Sequence, residues 1–187
     1  MNCTHIIFDN FYQNPDEIRE YALGLDFNVK GNYPGARTTP EGSIQRDYLK
    51  QYFEEHIVKQ KITTWDSEYN TSFQFTTEKD TTWVHHDSVT NWAAVLYLTP
   101  DAPIESGTGI YKNIESGVYL HSPDNTIDYN DNEDCRDLTK WKLIDQCANI
   151  YNRLFVYNAN LYHRSIVPGF GKSKEDGRLF QTFFFNT

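Results

Sequence analysis

The sequence predicts a mainly β fold of the α+β kind, a jelly roll with α-helices packed on its sheet at the N-terminal side. Three observations lead there. Two stretches before residue 65 carry an apolar stripe at helical spacing. From about residue 70 the apolar period drops to two, and short runs bounded by turn residues follow one another to the end. No internal repeat and no linker-like stretch interrupts the 187 residues, so 1–187 reads as a single domain with a helical flank over 1–65 and a jelly-roll core over 70–187.

Each element has its own signal. Ile6-Ile7-Phe8 reads as a short strand. In Asn14-Pro15-Asp16-Glu17, Asn14 suits a helix cap, Pro15 the first turn, and the two acids the positive end of the helix dipole. Ile18, Tyr21, Ala22 and Leu25 then share one face, and Gly24 ends the helix. Residues 30–43 are rich in Gly, Pro and Thr and read as loop. Within them, Tyr33-Pro34-Gly35-Ala36-Arg37 has two readings: a turn with an exposed arginine, or a loop over a site where Arg37 meets a substrate anion. A second helix is predicted over about 44–59, with Tyr48, Leu49, Tyr52, Phe53 and Ile57 on its apolar side and His56 packed near it.

The β region follows. Phe73 and Phe75 alternate with Ser72, Gln74 and Thr76, the pattern of a half-buried strand, and Glu78-Lys79-Asp80 makes a turn. Trp92 to Leu98, ended by Thr99-Pro100, reads as a central strand. Ser106-Gly107-Thr108-Gly109-Ile110-Tyr111 is a strand whose small residues allow a bulge or a close approach. Residues 112–137, with Asp124, Asp128, Asp131, Glu133, Asp134 and Asp137, read as a solvated acidic insertion carrying an exposed His121. Their spacing does not match an EF-hand calcium loop. Strands at 141–150, 154–157, 163–167 and 178–185 complete the roll, separated by Asn158-Ala159-Asn160 and Pro168-Gly169-Phe170-Gly171.

Charge and composition exclude several classes. The net charge is −9, from 26 acidic and 17 basic residues, which opposes non-specific binding to nucleic acid or anionic membranes. No apolar run approaches the ~20 residues that span a bilayer, and the N-terminus lacks the basic and apolar regions of a signal peptide. Cys3, Cys135 and Cys147 are odd in number and widely spaced, which suits reduced thiols and a cytoplasmic setting.

The chemistry centres on Trp83-Val84-His85-His86-Asp87. In an extended segment, residues two apart share a face, so Trp83, His85 and Asp87 point one way and His86 the other. One imidazole and one carboxylate then face a common point. A lone His-x-Asp pair is common by chance in a chain with 6 His and 26 acidic residues, and its bland reading is a surface His beside a strand-end Asp. The sharper reading needs a third ligand, for which His163 is the candidate. Two histidines and one carboxylate would leave open positions on Fe(II), the facial triad of non-haem iron oxygenases.

From about residue 70 onward the chain resembles the Fe(II)/2-oxoglutarate-dependent dioxygenases, in their prolyl-hydroxylase-like branch. The resemblance rests, in order, on His85-His86-Asp87, Tyr97-Leu98-Thr99, Ser106-Gly107-Thr108-Gly109, His163 and Arg178. It implies a double-stranded β-helix, a cupin-like jelly roll, with His85, Asp87 and His163 holding Fe(II). It further implies that Arg178 pairs with the distal carboxylate of 2-oxoglutarate, that Tyr97 hydrogen-bonds the same carboxylate, and that Thr182 reaches the co-substrate or its water. For Tyr97 a plain core aromatic is the other reading. The implied reaction uses O2, releases succinate and CO2, and hydroxylates a small molecule or a protein side chain. The chain departs from the pattern at Phe180, where many members carry a serine, and at Ser106-Gly107, where paired glycines are common. Two alternatives stay open: a non-enzymatic jelly-roll module, and a cupin-type metalloenzyme without 2-oxoglutarate.

Overall fold

A computed structural model describes residues 3–41, 43–65, 68–87, 90–124, 128–131 and 133–187, with the backbone alone at residues 43, 44 and 131. The described residues form two antiparallel sheets. β1 (His5–Phe8) opens the chain, and α1 (Pro15–Leu23) follows with Pro15 in its first turn and Asp16 and Glu17 beside it. The Asn14 side chain makes no cap hydrogen bond. Gly24 stops the helix without using glycine's special freedom: it stays right-handed, and its N–H closes on the carbonyls of Glu20 and Tyr21.

β2 (Ala36–Arg37) lies inside the stretch predicted as loop. α2 (Ser43–Tyr52) passes into a π-helical turn over Phe53–Ile57, in which the Val58 N–H reaches five residues back to the Phe53 carbonyl at 2.9 Å. Leu49, Phe53 and Ile57 are buried, whereas Tyr48, expected on the same side, is 64% exposed. Tyr48 sits about 100° around the helix from Leu49, and the core takes only the narrower stripe. His56 is exposed beside Tyr52, with ring centroids 4.7 Å apart.

The larger sheet has β3 (Thr64–Trp65), β4 (Phe73–Thr76), β5 (Trp92–Tyr97), β8 (Leu154–Asn158) and β10 (Arg178–Asn186) together with β1 and β2. Its order is β1-β8-β5-β10-β4-β2, with β3 on the far end of β10, and its seven strands make it the main wall. The smaller sheet has β6 (Thr108–Asn113), β7 (Trp141–Cys147) and β9 (His163–Ser165), in the order β7-β6-β9.

Pairing fixes which side chains share a face. Arg37 lies opposite Gln74, Gln74 opposite Phe180, and Phe180 opposite Tyr97, so the four form one row across the main wall. The next positions along each strand point to the other face. That outer face is the principal core, where Phe73, Leu96, Val156 and Phe183 meet Ala22 of α1 and Leu49 and Phe53 of α2. The inner face, with Val95, Tyr97, Phe155, Tyr157 and Phe180, packs against Ile110 and Cys147 of the smaller sheet. β4 is therefore buried on both sides, not half-buried: Gln74 and Thr76 face the inside of the roll.

The smaller sheet depends on a close approach. A Cβ at Gly107 would lie 1.8 Å from the Cys147 carbonyl oxygen, and the β6–β7 register shifts between Ile110 and Tyr111. Gly107→Ala is expected to cost roughly 1–3 kcal/mol as an overpacked site, read as a lower urea midpoint. An unchanged midpoint would mean that β6 and β7 can separate freely there.

Three further expectations are revised. Residues 81–87 form no strand; His85 makes an isolated bridge to His163, while the N–H groups of Val84 and Asp87 bond to the Cys135 and Ala159 carbonyls. The acidic insertion is not merely solvated. Asp124, Asp128, Glu133 and Asp137 are exposed, but Tyr129 packs inward with Val84, Trp141 and Tyr162, and Trp141 Nε1 donates to the Asp134 carbonyl. The side chain of Asp131 lies outside the described residues. His121 is half-buried and stacks on His86, with ring centroids 3.9 Å apart. Cys3 is exposed, Cys135 and Cys147 are buried, and all three are free thiols. No helix among the described residues is long and apolar enough to cross a membrane.

Candidate metal centre

His85 and His163 exchange backbone hydrogen bonds at 3.0 and 2.7 Å, which sets their side chains next to each other. Their rings stand 4.5 Å apart. Each Nδ1 is tied to a carbonyl two residues back: His85 to Trp83 O at 3.0 Å and His163 to Leu161 O at 2.7 Å. Because a carbonyl only accepts, each Nδ1 carries the proton and each Nε2 is left with a lone pair. His85 Nε2 lies 3.9 Å from Asp87 Oδ1, and His163 Nε2 lies 3.5 Å from Asp87 Oδ2. The three ligand atoms lie within 4.8 Å of one another. Burial, reinforced by the nearby His85, pushes His163 down to about 4, so its imidazole is neutral at physiological pH and ready to ligate.

The site also has an unmet need. Asp87 Oδ2 is buried and has no hydrogen-bond partner. A desolvated carboxylate oxygen without a donor is costly, and a cation among the three ligand atoms would satisfy it. Two neutral imidazole nitrogens and one carboxylate fit a divalent first-row metal with vacant positions. The residues present therefore fit iron.

The triad opens into a cavity of about 770 Å³, within the size range of small-molecule sites. Arg178, at the start of β10, lines it and is 2% exposed. Its Nε donates to Ser106 O at 3.0 Å, and its guanidinium lies over the Phe180 ring at 4.4 Å. No carboxylate among the described residues lies within ion-pairing distance of Arg178. Arg37, in β2, lines the same cavity and is 6% exposed, which excludes the exposed-turn reading.

The remaining predicted site residues are placed differently. Tyr97 is fully buried behind the cavity wall and donates its hydroxyl to Thr108 Oγ1 at 2.9 Å; Thr108, not Tyr97, faces the cavity. Thr182 lines the cavity but donates its hydroxyl to the Tyr69 carbonyl at 3.0 Å. Among the other residues that line the cavity are Tyr157, Gln74 and Thr108, to which the sequence reading gave no site role. The Tyr157 hydroxyl lies 3.1 Å from His163 Nε2. Strand parity through Phe155 and Tyr157 was the available signal, since both must face inward if one does.

A second group, His86, His121 and Asp128, also has ligand atoms within 4.8 Å of one another. Its two rings stack at 7°, so their lone pairs lie in separate parallel planes and do not converge on one ion. Asp128 Oδ1 and His86 Nε2, 3.1 Å apart, form an ordinary hydrogen bond.

The fold is similar to those of solved prolyl hydroxylases and of HygX, a protein crystallised with nickel and 2-oxoglutarate. HygX from Streptomyces hygroscopicus, in a crystal structure with nickel, 2-oxoglutarate and hygromycin B bound, superposes with a TM-score of 0.61 at 12% identity, over 97% of this chain and 82% of that one. A prolyl hydroxylase from Trichoplax adhaerens, in complex with a hypoxia-inducible-factor peptide fragment, gives 0.56 at 16% identity, over 97% and 83%. A Pseudomonas putida prolyl-4-hydroxylase gives 0.51 at 12% identity, over 97% and 91%. In sequence, residues 2–185 match a family described as a family of unknown function (DUF6445), and the chain belongs to that family. No curated protein matches it in sequence.

Proposed function

We propose that this protein is an Fe(II)- and 2-oxoglutarate-dependent oxygenase that hydroxylates a small molecule or a side chain. The observation that carries the proposal is the pairing of an unsatisfied Asp87 carboxylate, between two Nε2 lone pairs, with an unpaired buried Arg178 in the same cavity. A metal answers the first need and a dicarboxylate the second. HygX, which shares the fold, holds nickel and 2-oxoglutarate in its own structure; at 12% identity its substrate is not carried over.

When bound, Fe(II) with 2-oxoglutarate and O2 supplies the oxidising power, and the chain supplies position and charge. His85, Asp87 and His163 would hold the metal. Trp83 O and Leu161 O fix both imidazole orientations. Arg178 presents a guanidinium fork to the far carboxylate of 2-oxoglutarate. Thr108, on the cavity wall in front of Tyr97, adds a hydroxyl that completes the cradle. Phe180 and Val95 keep water from that end. Free thiols and the acidic surface suit a reducing cytoplasm, with neither membrane nor nucleic acid as partner.

The test is uncoupled turnover: purified protein with Fe(II), ascorbate and 2-oxoglutarate, and succinate measured. Metal-dependent succinate is expected; its absence, with 2-oxoglutarate failing to bind the metal-loaded protein, would favour the non-enzymatic module or a cupin-type enzyme. Arg178→Ala is expected to weaken 2-oxoglutarate binding by about 2–5 kcal/mol, as for truncating one partner of a buried charge pair, with Arg178→Lys between it and the parent. An unchanged 2-oxoglutarate requirement would place the clamp elsewhere.

A further inference from the structure

The cavity holds a second buried guanidinium that the oxygenase reading does not use. Arg37 Nε and Nη2 donate to Gln74 Oε1 at 3.0 and 2.6 Å, and Gln74 Nε2 in turn donates to Pro34 O at 2.7 Å. Gln74 thus occupies the side edge of the guanidinium and holds its plane. No described residue accepts from Nη1, so the end edge, with one N–H from each terminal nitrogen, is open. That edge matches the two oxygens of a carboxylate. The Tyr33 ring covers the guanidinium at 3.9 Å and the Tyr69 ring lies at 5.5 Å. Tyr33 also lines the cavity, and its hydroxyl is buried without a hydrogen-bond partner. Two unmet hydrogen-bonding needs therefore sit side by side.

Charge accounting sharpens the point. No carboxylate among the described residues pairs with Arg37, and the one whose field reaches it is Asp87. A divalent metal on Asp87 leaves that corner with a net positive charge. The two charges of 2-oxoglutarate would neutralise Arg178 and the metal–Asp87 pair together; of the other charged residues that line the cavity, Lys30, Glu68 and Asp128, neither carboxylate lies within ion-pairing distance of Arg37. Arg164, also on the cavity wall, is turned onto its own strand, donating to the carbonyls of Ser165 and Ile166 at 2.8 Å each. A buried cation without a counter-ion is expensive; Arg164 meets its need with two carbonyls, whereas the end edge of Arg37 is open to an anion brought by the substrate.

We infer that Arg37, held by Gln74 and covered by Tyr33, is the subsite for a carboxylate on the substrate, which makes the substrate a small carboxylic acid or a chain end with a free carboxylate. The inference deepens the oxygenase reading and rests on it for the placement of the subsite beside the metal. The probes are N-acetyl amino acids and their primary amides, titrated by ligand-observed NMR into protein loaded with Zn(II) and N-oxalylglycine, which fills the co-substrate position. Each acid is expected to bind at least about tenfold more tightly than its amide. Arg37→Gln removes that preference, and Arg37→Lys, keeping charge without the fork, keeps part of it. Gln74→Glu supplies an internal anion to Arg37 at the loss of the bond to the Pro34 carbonyl, is checked for folding by circular dichroism, and also removes the preference. Equal binding of acids and amides, no saturable binding of any acid at millimolar concentration, or an undiminished preference in folded Gln74→Glu overturns the inference. Retention of N-oxalylglycine by the parent in the same experiments shows the oxygenase reading intact whichever way the acids behave, and its loss counts against that reading alone.

Discussion

His163→Ala is expected to abolish succinate formation from 2-oxoglutarate and to weaken Fe(II) or Mn(II) binding by more than the roughly 10–100-fold that outer-shell changes cost. The reasoning runs through one atom. His163 Nε2, 3.5 Å from Asp87 Oδ2, carries the lone pair because Leu161 O fixes the proton on Nδ1. Removing the ring leaves two ligands, His85 and Asp87, from a single segment. The backbone bridge to His85 does not involve the ring, so the variant keeps the contacts that close the smaller sheet around it. Calorimetric metal titration and succinate yield, with circular dichroism as the folding check, are the measurements. Tyr157→Phe is the comparison: it removes only the hydroxyl 3.1 Å from Nε2 and is expected to stay within the outer-shell range. Near-parent turnover in folded His163→Ala would remove this residue from the chemistry and the triad with it.

What was legible in the sequence follows from how local each signal is. Period-two patterning marked Phe73 with Phe75 as strand, and an unbroken apolar run ended by Thr99-Pro100 marked Trp92 to Leu98, because both signals are properties of neighbouring residues. The same parity picked His85 over His86, and the fold turns His85 and Asp87 to one point although no strand forms there. Features set by distant pairing were hidden. β2 is two residues long and exists because Ala36 and Arg37 pair with Phe75 and Gln74, so nothing local marks Arg37 as buried. The inward side of the acidic insertion is hidden in the same way: Tyr129 is buried by Trp141 and Tyr162, from segments beyond it. The π-helical turn at Phe53–Ile57, with Phe53 and Ile57 both buried, has no glycine or proline in the sequence to announce it. Tyr97 lies on the inner face through its pairing with Phe180, and its hydroxyl donates to Thr108, which lines the cavity, a contact between two strands that neither segment announces alone.

The main wall separates stability from chemistry, and Phe183→Ala tests the separation. Along β10, Arg178, Phe180, Thr182 and Phe184 face the cavity, while Leu179 and Phe183 face the helices. Phe183 is 0% exposed, with its ring 4.9 Å from Phe53, 6.1 Å from Trp65 and 6.2 Å from Phe11. Truncating it leaves a void that three large rings from three separate segments cannot fill together, so the loss is expected at about 3–5 kcal/mol, a large share of the ~5–15 kcal/mol that holds a domain folded. Chemical denaturation reads it directly. The backbone of Phe183 stays paired with Ala94, so the strand keeps its register and the inner row keeps its positions. Metal affinity in the cold, folded variant is therefore expected to match the parent, whereas Phe184→Ala, on the inner face, is expected to cost less stability and to enlarge the cavity. If Phe183→Ala were to weaken metal binding as strongly as it weakens the fold, the two faces of β10 would be one mechanical unit, and the division of labour between helix side and cavity side would not hold.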